Sequence, residues 1–185
     1  MPFVREAILS DKEFIIKLLN TESENGHFLK CDHNIMVEWA INGIAIAPNV
    51  DYIKSIPGSN DVEYSINGTP MIKRNIDHAW QSSVTVNAGT HIIEDDMHKR
   101  CGFVILRNAD DHVEIYNLAI EKECRRKGYA SLLIRGVENF AKTLHKPVKC
   151  RCYFKSTWMI SLLEKSGYNE IKRGARSITY EKSVP

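Results

Sequence analysis

Residues 117–130 read NLAIEKECRRKGYA: an apolar run breaks into Arg125-Arg126-Lys127, then Gly128, then the start of an amphipathic segment. Three cations and a glycine where a strand hands over to a helix suit the binding of an anion. The first N–H groups of a helix have no partner inside it and point outward along its axis. The helix dipole adds positive potential at the same end. Gly128 lets a bulky oxyanion approach the backbone, Ala130 keeps the surface small, and Tyr129 can turn its ring into the core. The charges of Arg125, Arg126 and Lys127 match a diphosphate. No second glycine precedes Gly128 as a dinucleotide-binding turn requires, and no Gly-Lys-Ser/Thr phosphate loop occurs. On these residues alone, a solvated turn remains the competing reading.

Upstream, Glu114 lies inside the apolar run HVEIYNLAI. In a regular strand it shares a face with Tyr116 and Leu118. A carboxylate there is partly desolvated, which raises its pKa and suits it to accept a proton near neutrality. The alternative is a solvent-facing strand residue paired with a lysine. His27, Cys31 and His33 fit no standard zinc spacing and read as structural or substrate-side residues, so no metal is expected.

The elements that must position these groups follow from periodicity. Phe3 to Leu9 predicts a strand, Ser10 with Glu13 a capping box, and Phe14, Ile15, Leu18 and Leu19 a helix. Residues 35–40 predict a short helix. The rest of 24–82, punctuated by Pro48, Pro57, Gly58, Gly68 and Pro70, reads as loops with short helices or strands. A polar segment of this length suggests an acceptor-side role, with Trp39, Tyr52, Tyr64 and Trp80 as candidate pocket walls or as core.

From residue 84 three strands are predicted: 84–93 with an interruption at Ala88-Gly89, 101–106, and 112–120. Their short turns, including Asn108 to Asp111, make an antiparallel meander. Leu132, Leu133, Val137, Phe140, Ala141 and Leu144 mark an amphipathic helix that Pro147 prevents from continuing. Residues 148–154 alternate as a half-buried strand, and this strand–helix–strand implies a parallel, right-handed crossover. A helix around Trp158 to Leu163 and a hairpin of 168–173 with 177–182 close the chain.

The expected fold class is α/β: a twisted mixed sheet, antiparallel first, with helices on both faces. A length of 185 residues suits one domain over 1–185, with 24–82 as an unassigned insertion. The net charge of +2 lacks the basic bias of most nucleic-acid binders. No apolar stretch is long enough to cross a membrane, and the charged opening MPFVREAILSDKEF does not read as a signal peptide. Five cysteines without framework spacing read as free thiols of a cytoplasmic protein, Cys150 and Cys152 as small core residues.

In this context the chain resembles the GNAT superfamily of N-acetyltransferases. Arg125 to Ala130 match that family's Gln/Arg-x-x-Gly-x-Gly/Ala pattern between strand and helix. Glu114 to Ile120 are similar to the corresponding strand of the histone-acetyltransferase branch. Leu162 to Tyr168 resemble the family's Leu-Tyr-x-Lys-x-Gly-Phe. Residues 3–20 and 83–182 follow the family's element order, and the resemblance does not cover 24–82.

The resemblance implies acetyl-CoA as co-substrate and a primary amine, on a small molecule or a protein, as acceptor. Attack would be direct, in a ternary complex. Backbone N–H groups of 126–131, Ser131 included, would cradle the pyrophosphate. Leu118 and Ile120, flanking Ala119, would pair with the pantetheine arm. Glu114 would be the base and the Leu118 N–H the oxyanion donor. The family's usual asparagine falls at Ser156. Its usual proton-donating tyrosine falls at Leu163, so Tyr153, Tyr116 or water would have to substitute. That departure keeps a second reading open, an acyl-CoA-binding regulatory or interaction protein. A third, an enzyme acting on nucleic acid through Lys172, Arg173 and Arg176, is less expected than a solvated hairpin. A homodimer is left open.

Overall fold

The computed structural model describes residues 1–28, 33–47, 50–66, 69–74 and 85–185. The chain runs β1 (Phe3–Glu6), α1 (Lys12–Glu24), α2 (Asn34–Ile41), β2 (Ile44–Ile46), β3 (Val50–Ser55), β4 (Val62–Ile66), β5 (Thr69–Lys73) and β6 (Thr85–Glu94). It continues with β7 (Arg100–Asn108), β8 (Val113–Ile120), α3 (Tyr129–Thr143), β9 (Val148–Tyr153), α4 (Thr157–Lys165), β10 (Asn169–Arg173) and β11 (Ser177–Lys182). The main sheet has the order β1-β6-β7-β8-β9-β11-β10, with β2 also on β6; β3, β4 and β5 form a separate antiparallel sheet. Among the described residues only β8 and β9 are paired in parallel, and α3 makes the crossover between them. Among the described residues no helix is long and apolar enough to cross a membrane.

Both faces of this sheet are covered. Leu133, Ile134, Val137 and Ala141 of α3 bury against Val104, Leu106, Ile115 and Leu118. Ile15 and Leu19 of α1 and Val37 of α2 bury against Ile92, Phe103, Ile105 and Ala119. β7, covered on both faces, is accordingly apolar almost throughout. Gly102 leaves no room for a side chain: a Cβ there would lie 2.5 Å from the Ala119 carbonyl oxygen and 2.5 Å from Ile120 Cδ1. Gly102→Ala is expected to cost about 2 kcal/mol, as overpacking does. A denaturant titration would read this as a lower midpoint at unchanged slope.

Of three sequence expectations, the first and third are corrected and the second is filled out. First, β6 runs unbroken through Ala88-Gly89, because both residues keep their places in the ladder with β7, opposite Arg107 and Leu106. Second, residues 24–82 hold the short helix and short strands expected there, α2 and β2–β5, and β3, β4 and β5 join in a sheet of their own. Trp39 and Tyr64 pack against the α1–α2 side of the core, and Trp80 lies outside the described residues. Third, no Ser10–Glu13 capping box forms. Asp11 precedes α1, and its buried carboxylate accepts the Ile8 N–H at 2.9 Å and pairs with Arg5 and Arg100.

That Asp11 cluster predicts a pH effect. Burial pushes the Asp11 carboxyl up, but hydrogen bonds from the Arg5 guanidinium and the Ile8 amide outweigh it and hold the group below its ordinary value. A carboxylate lowered on folding stabilises the protein above its unfolded pKa, and the stabilisation fades as pH falls through the folded one. Asp11→Asn is therefore expected to be less stable than the parent at neutral pH by about 2 kcal/mol. The gap should close below about pH 4. Thermal melts of both proteins across that range would check it.

Candidate functional site

The opening between β8 and β9 comes from a short ladder. The two strands pair only from Val113–Val148 to Ile115–Cys150 and are unpaired beyond. At that point β8 carries a bulge: Ile105 faces Asn117 and Leu106 faces Ile115, so Tyr116 is the extra residue. A bulge flips the alternation that follows it. Leu118 consequently packs on the α3 side, while Tyr116 packs on the α1–α2 side. The expectation that Glu114, Tyr116 and Leu118 share one face fails for Leu118 for this reason.

The bulge also sets which amides face the gap. The Glu121 N–H bonds the Cys101 carbonyl at 2.8 Å, and Ala119 lies opposite Phe103. Antiparallel pairs alternate, so the N–H and C=O of Ala119 are used by β7, and those of Leu118 and Ile120 point toward β9. Ala119 is thus not brought to the gap, whereas Leu118 and Ile120 are. One of these groups is already occupied, since the Ile120 carbonyl accepts Arg125 Nε at 2.9 Å.

The cationic turn sits at the mouth of the gap. After a short 3-10 turn at Lys122–Cys124, Arg126 has φ +61° and Gly128 has φ +81°. Positive φ is costly for a side-chain-bearing residue, and strain of this kind gathers at ligand sites. Loops that alternate handedness turn successive N–H groups into an anion-binding concavity. Leu132 is the first residue to bond inside α3, to the Gly128 carbonyl at 3.1 Å, and residues 126–131 donate no turn or loop bond. A Cβ on Gly128 would meet nothing within 4 Å, so the glycine is required by its conformation and by the space it leaves.

A cavity of about 600 Å³ opens there, lined by Arg126, Gly128, Ala130 and Ser131 on one side and by Trp158 and Lys165 of α4 on the other. Tyr129 turns into the core as expected. Arg125 lines the cavity, but its guanidinium is engaged with Ile120 and, at 2.5 Å, with the buried Glu22 of α1. Lys127 is not among the lining residues; it is exposed and lies near Asp95 and Glu123 on the outer side of the turn. Of the three cations expected to face an anion, Arg125 and Arg126 line the cavity and Lys127 does not, and Arg125 acts as a strut.

Deeper in, a narrow void of about 30 Å³ is lined by Tyr116, Leu118, Cys150, Ser156, Trp158 and His27, among others. The hydroxyl of Ser156 lies 3.1 Å from His27 Nδ1. Its contact with Cys152, reinforced by burial, pushes the Cys150 thiol well above its ordinary value and keeps it neutral. Leu163 is fully buried in the core, and Tyr153 does not line the void. Glu114 is buried and ion-paired to Arg107, its cross-strand neighbour, through Oε2. The Arg107 guanidinium in turn covers the Tyr116 ring at 3.9 Å. Oε1 of Glu114 has no partner among the described residues.

Sequence reasoning missed Arg107, Glu22, Trp158 and the pairing of His27. A charged residue inside the apolar run FVILRN was the available sign for Arg107; Glu22 and His27 gave none. Cys31 lies outside the described residues, and His33 meets Ser23 Oγ at 3.1 Å. At the C-terminal hairpin, Arg173 pairs with Glu170.

Comparison with known proteins bears on this geometry. The model of the Acetyltransferase (GNAT) family matches residues 62–168. Compared by sequence with curated proteins, the chain has no significant match. A GNAT-family acetyltransferase from Staphylococcus aureus Mu50 superposes with TM-score 0.67 at 13% identity, over 100% of both chains. The ribosomal-protein-S18-alanine N-acetyltransferase of Escherichia coli gives 0.58 at 10% identity, over 100% of this chain and 94% of its own. An enzyme assigned as a streptothricin acetyltransferase from Bacillus anthracis, solved with acetyl coenzyme A, gives 0.57 at 14% identity, over 100% and 99%. At such identities the likeness is one of fold.

Proposed function

The chain belongs to the GNAT acetyltransferase family, and from that premise we propose that it transfers an acetyl group from acetyl-CoA to a primary amine by direct attack in a ternary complex. The observation that carries the reading is the left-handed pair Arg126 and Gly128 at the mouth of the β8–β9 gap. It aims unbonded N–H groups at a cavity large enough for a phosphate-bearing ligand. These residues fit the coenzyme: N–H groups of 126–131 and Arg126 hold the diphosphate, and the free groups of Leu118 and Ile120 pair with the pantetheine arm. The coenzyme supplies an activated acyl group.

The protein's own contribution is modest in parts. The Leu118 N–H faces the gap and stabilises the oxyanion. Glu114, through Oε1, takes the amine proton directly or through a water. Arg107 fixes that carboxylate from behind and shields its charge. The acceptor is an amine on a small molecule or a protein chain. The test is thiol release from acetyl-CoA across a panel of polyamines, aminoglycosides, lysine peptides and peptide N-termini, with Glu114→Gln as control. Release with one class, lost in the variant, supports the reading.

A second reading is favoured by one observation: Leu163, at the family's usual tyrosine position, is wholly buried in the core. Coenzyme binding without thiol release for any amine would favour an acyl-CoA-binding regulatory protein.

A further inference from the structure

Ser156 stands at the start of α4, where a serine normally accepts a hydrogen bond from an amide of the first helical turn. It makes no such bond. Its hydroxyl, in a residue only 5% exposed, is instead placed 3.1 Å from Nδ1 of His27, a residue 129 positions away. Forgoing a cap costs on the order of 1 kcal/mol, so this contact is not a by-product of local geometry.

His27 is held from several sides. Its N–H bonds the Glu22 carbonyl at 2.9 Å, and the preceding Gly26 takes φ +80°. A Cβ on Gly26 would fall 2.9 Å from Lys155 Cδ, so the loop lies close against the chain leading into α4. Glu22, a few residues earlier, is tied to Arg125 of the cationic turn. The end of α1 therefore links the phosphate-binding turn to Ser156 through two separate contacts.

Of the other polar groups lining the narrow void, Glu22 is paired to Arg125, the Cys150 thiol is held neutral beside Cys152, and Arg151 is exposed. Ser156, just before α4, and Leu118 of β8 line the same void.

Resting on the acetyl-transfer reading above, we infer that Ser156 is the proton donor to the departing sulfur and that His27, acting through it, is the positioning residue that restores that proton. As the amine nitrogen bonds to the acyl carbon and the carbon–sulfur bond breaks, the electron pair stays on sulfur. Ser156 Oγ gives its proton to sulfur and receives one from His27 Nδ1. His27 regains from solvent the equivalent of the proton that the amine releases. The products are the amide and the free thiol, and no oxidant or further reactant is needed.

The test needs no acceptor. Calorimetric titration with CoA and with desulfo-CoA, which lacks only the sulfur, is run near about pH 9, where a free thiol begins to ionise. Wild type is expected to favour CoA by about tenfold, the worth of one hydrogen bond to a charged group. The preference should vanish in Ser156→Ala and His27→Gln and persist in Ser156→Thr, which keeps the hydroxyl. A merely structural role would change both affinities together and leave their ratio intact, and that result overturns the inference. So does a ratio near one in wild type. If wild type binds neither compound, the coenzyme reading itself fails and takes this inference with it.

Discussion

Gly128→Asp is expected to weaken acetyl-CoA binding by on the order of a hundredfold, the worth of two charge-assisted hydrogen bonds. Gly128→Asn should lose far less. Both residues tolerate the left-handed conformation better than other side chains do, and both are nearly the same size. A Cβ at this position meets nothing within 4 Å in the protein, so neither should be excluded by clash. The two variants thus share the cost of the φ +81° backbone and differ mainly in charge. A carboxylate beside the unbonded N–H groups of the α3 start would compete for them and repel a diphosphate. Isothermal titration of the three proteins, with melts to confirm folding, measures the effect. Equal losses for Asn and Asp would mean that the turn matters for its shape alone.

Glu114→Ala is expected to destabilise the fold by about 3 kcal/mol, and Arg107→Ala by a similar amount, as breaking a buried ion pair does. The pair lies in the β7–β8 ladder with both side chains largely removed from solvent, and its arginine also covers Tyr116. Removing one partner leaves the other desolvated. The double replacement Arg107→Ala with Glu114→Ala should cost less than the sum of the single changes, and denaturant titrations of wild type, both single variants and the double give the coupling directly. Additive losses would show that the two charges act independently. The same argument makes alanine a poor choice for probing catalysis at Glu114. Glu114→Gln keeps the shape and is the variant in which lost turnover speaks about proton transfer.

The parts of the fold that repeat a simple period were legible in the sequence. α3 shows its buried stripe at Leu133, Val137 and Ala141, and β9 alternates between Cys150, Cys152 and the charged residues around them. The place of the cationic turn was legible too, because a glycine after a run of charge at a strand end has few uses. What the individual cations do was not. Arg125 and Lys127 differ from Arg126 through the backbone turn between them, and a positive φ at an arginine leaves no mark in composition. The bulge at Tyr116 was equally hidden, since one extra residue in a strand looks the same as none, yet it decides which of Glu114 and Leu118 face together. The Arg107–Glu114 pair could have been found: the two stand equally far from the Asp110-Asp111 turn and so must lie opposite in a hairpin. His27 and Ser156 could not, because 129 residues separate them and the loop after α1 meets the chain leading into α4 only in the folded protein.

The proposed transfer requires that this chain hold acetyl-CoA in the gap between β8 and β9. Calorimetric titration of the wild-type protein with acetyl-CoA tests it most directly, combined with amide chemical shifts of residues 118–131 in the same titration. One bound coenzyme per chain is expected, with shifts concentrated at Leu118, Ile120 and 126–131. No heat and no shifts at millimolar coenzyme, or shifts confined to another face of the molecule, would contradict it.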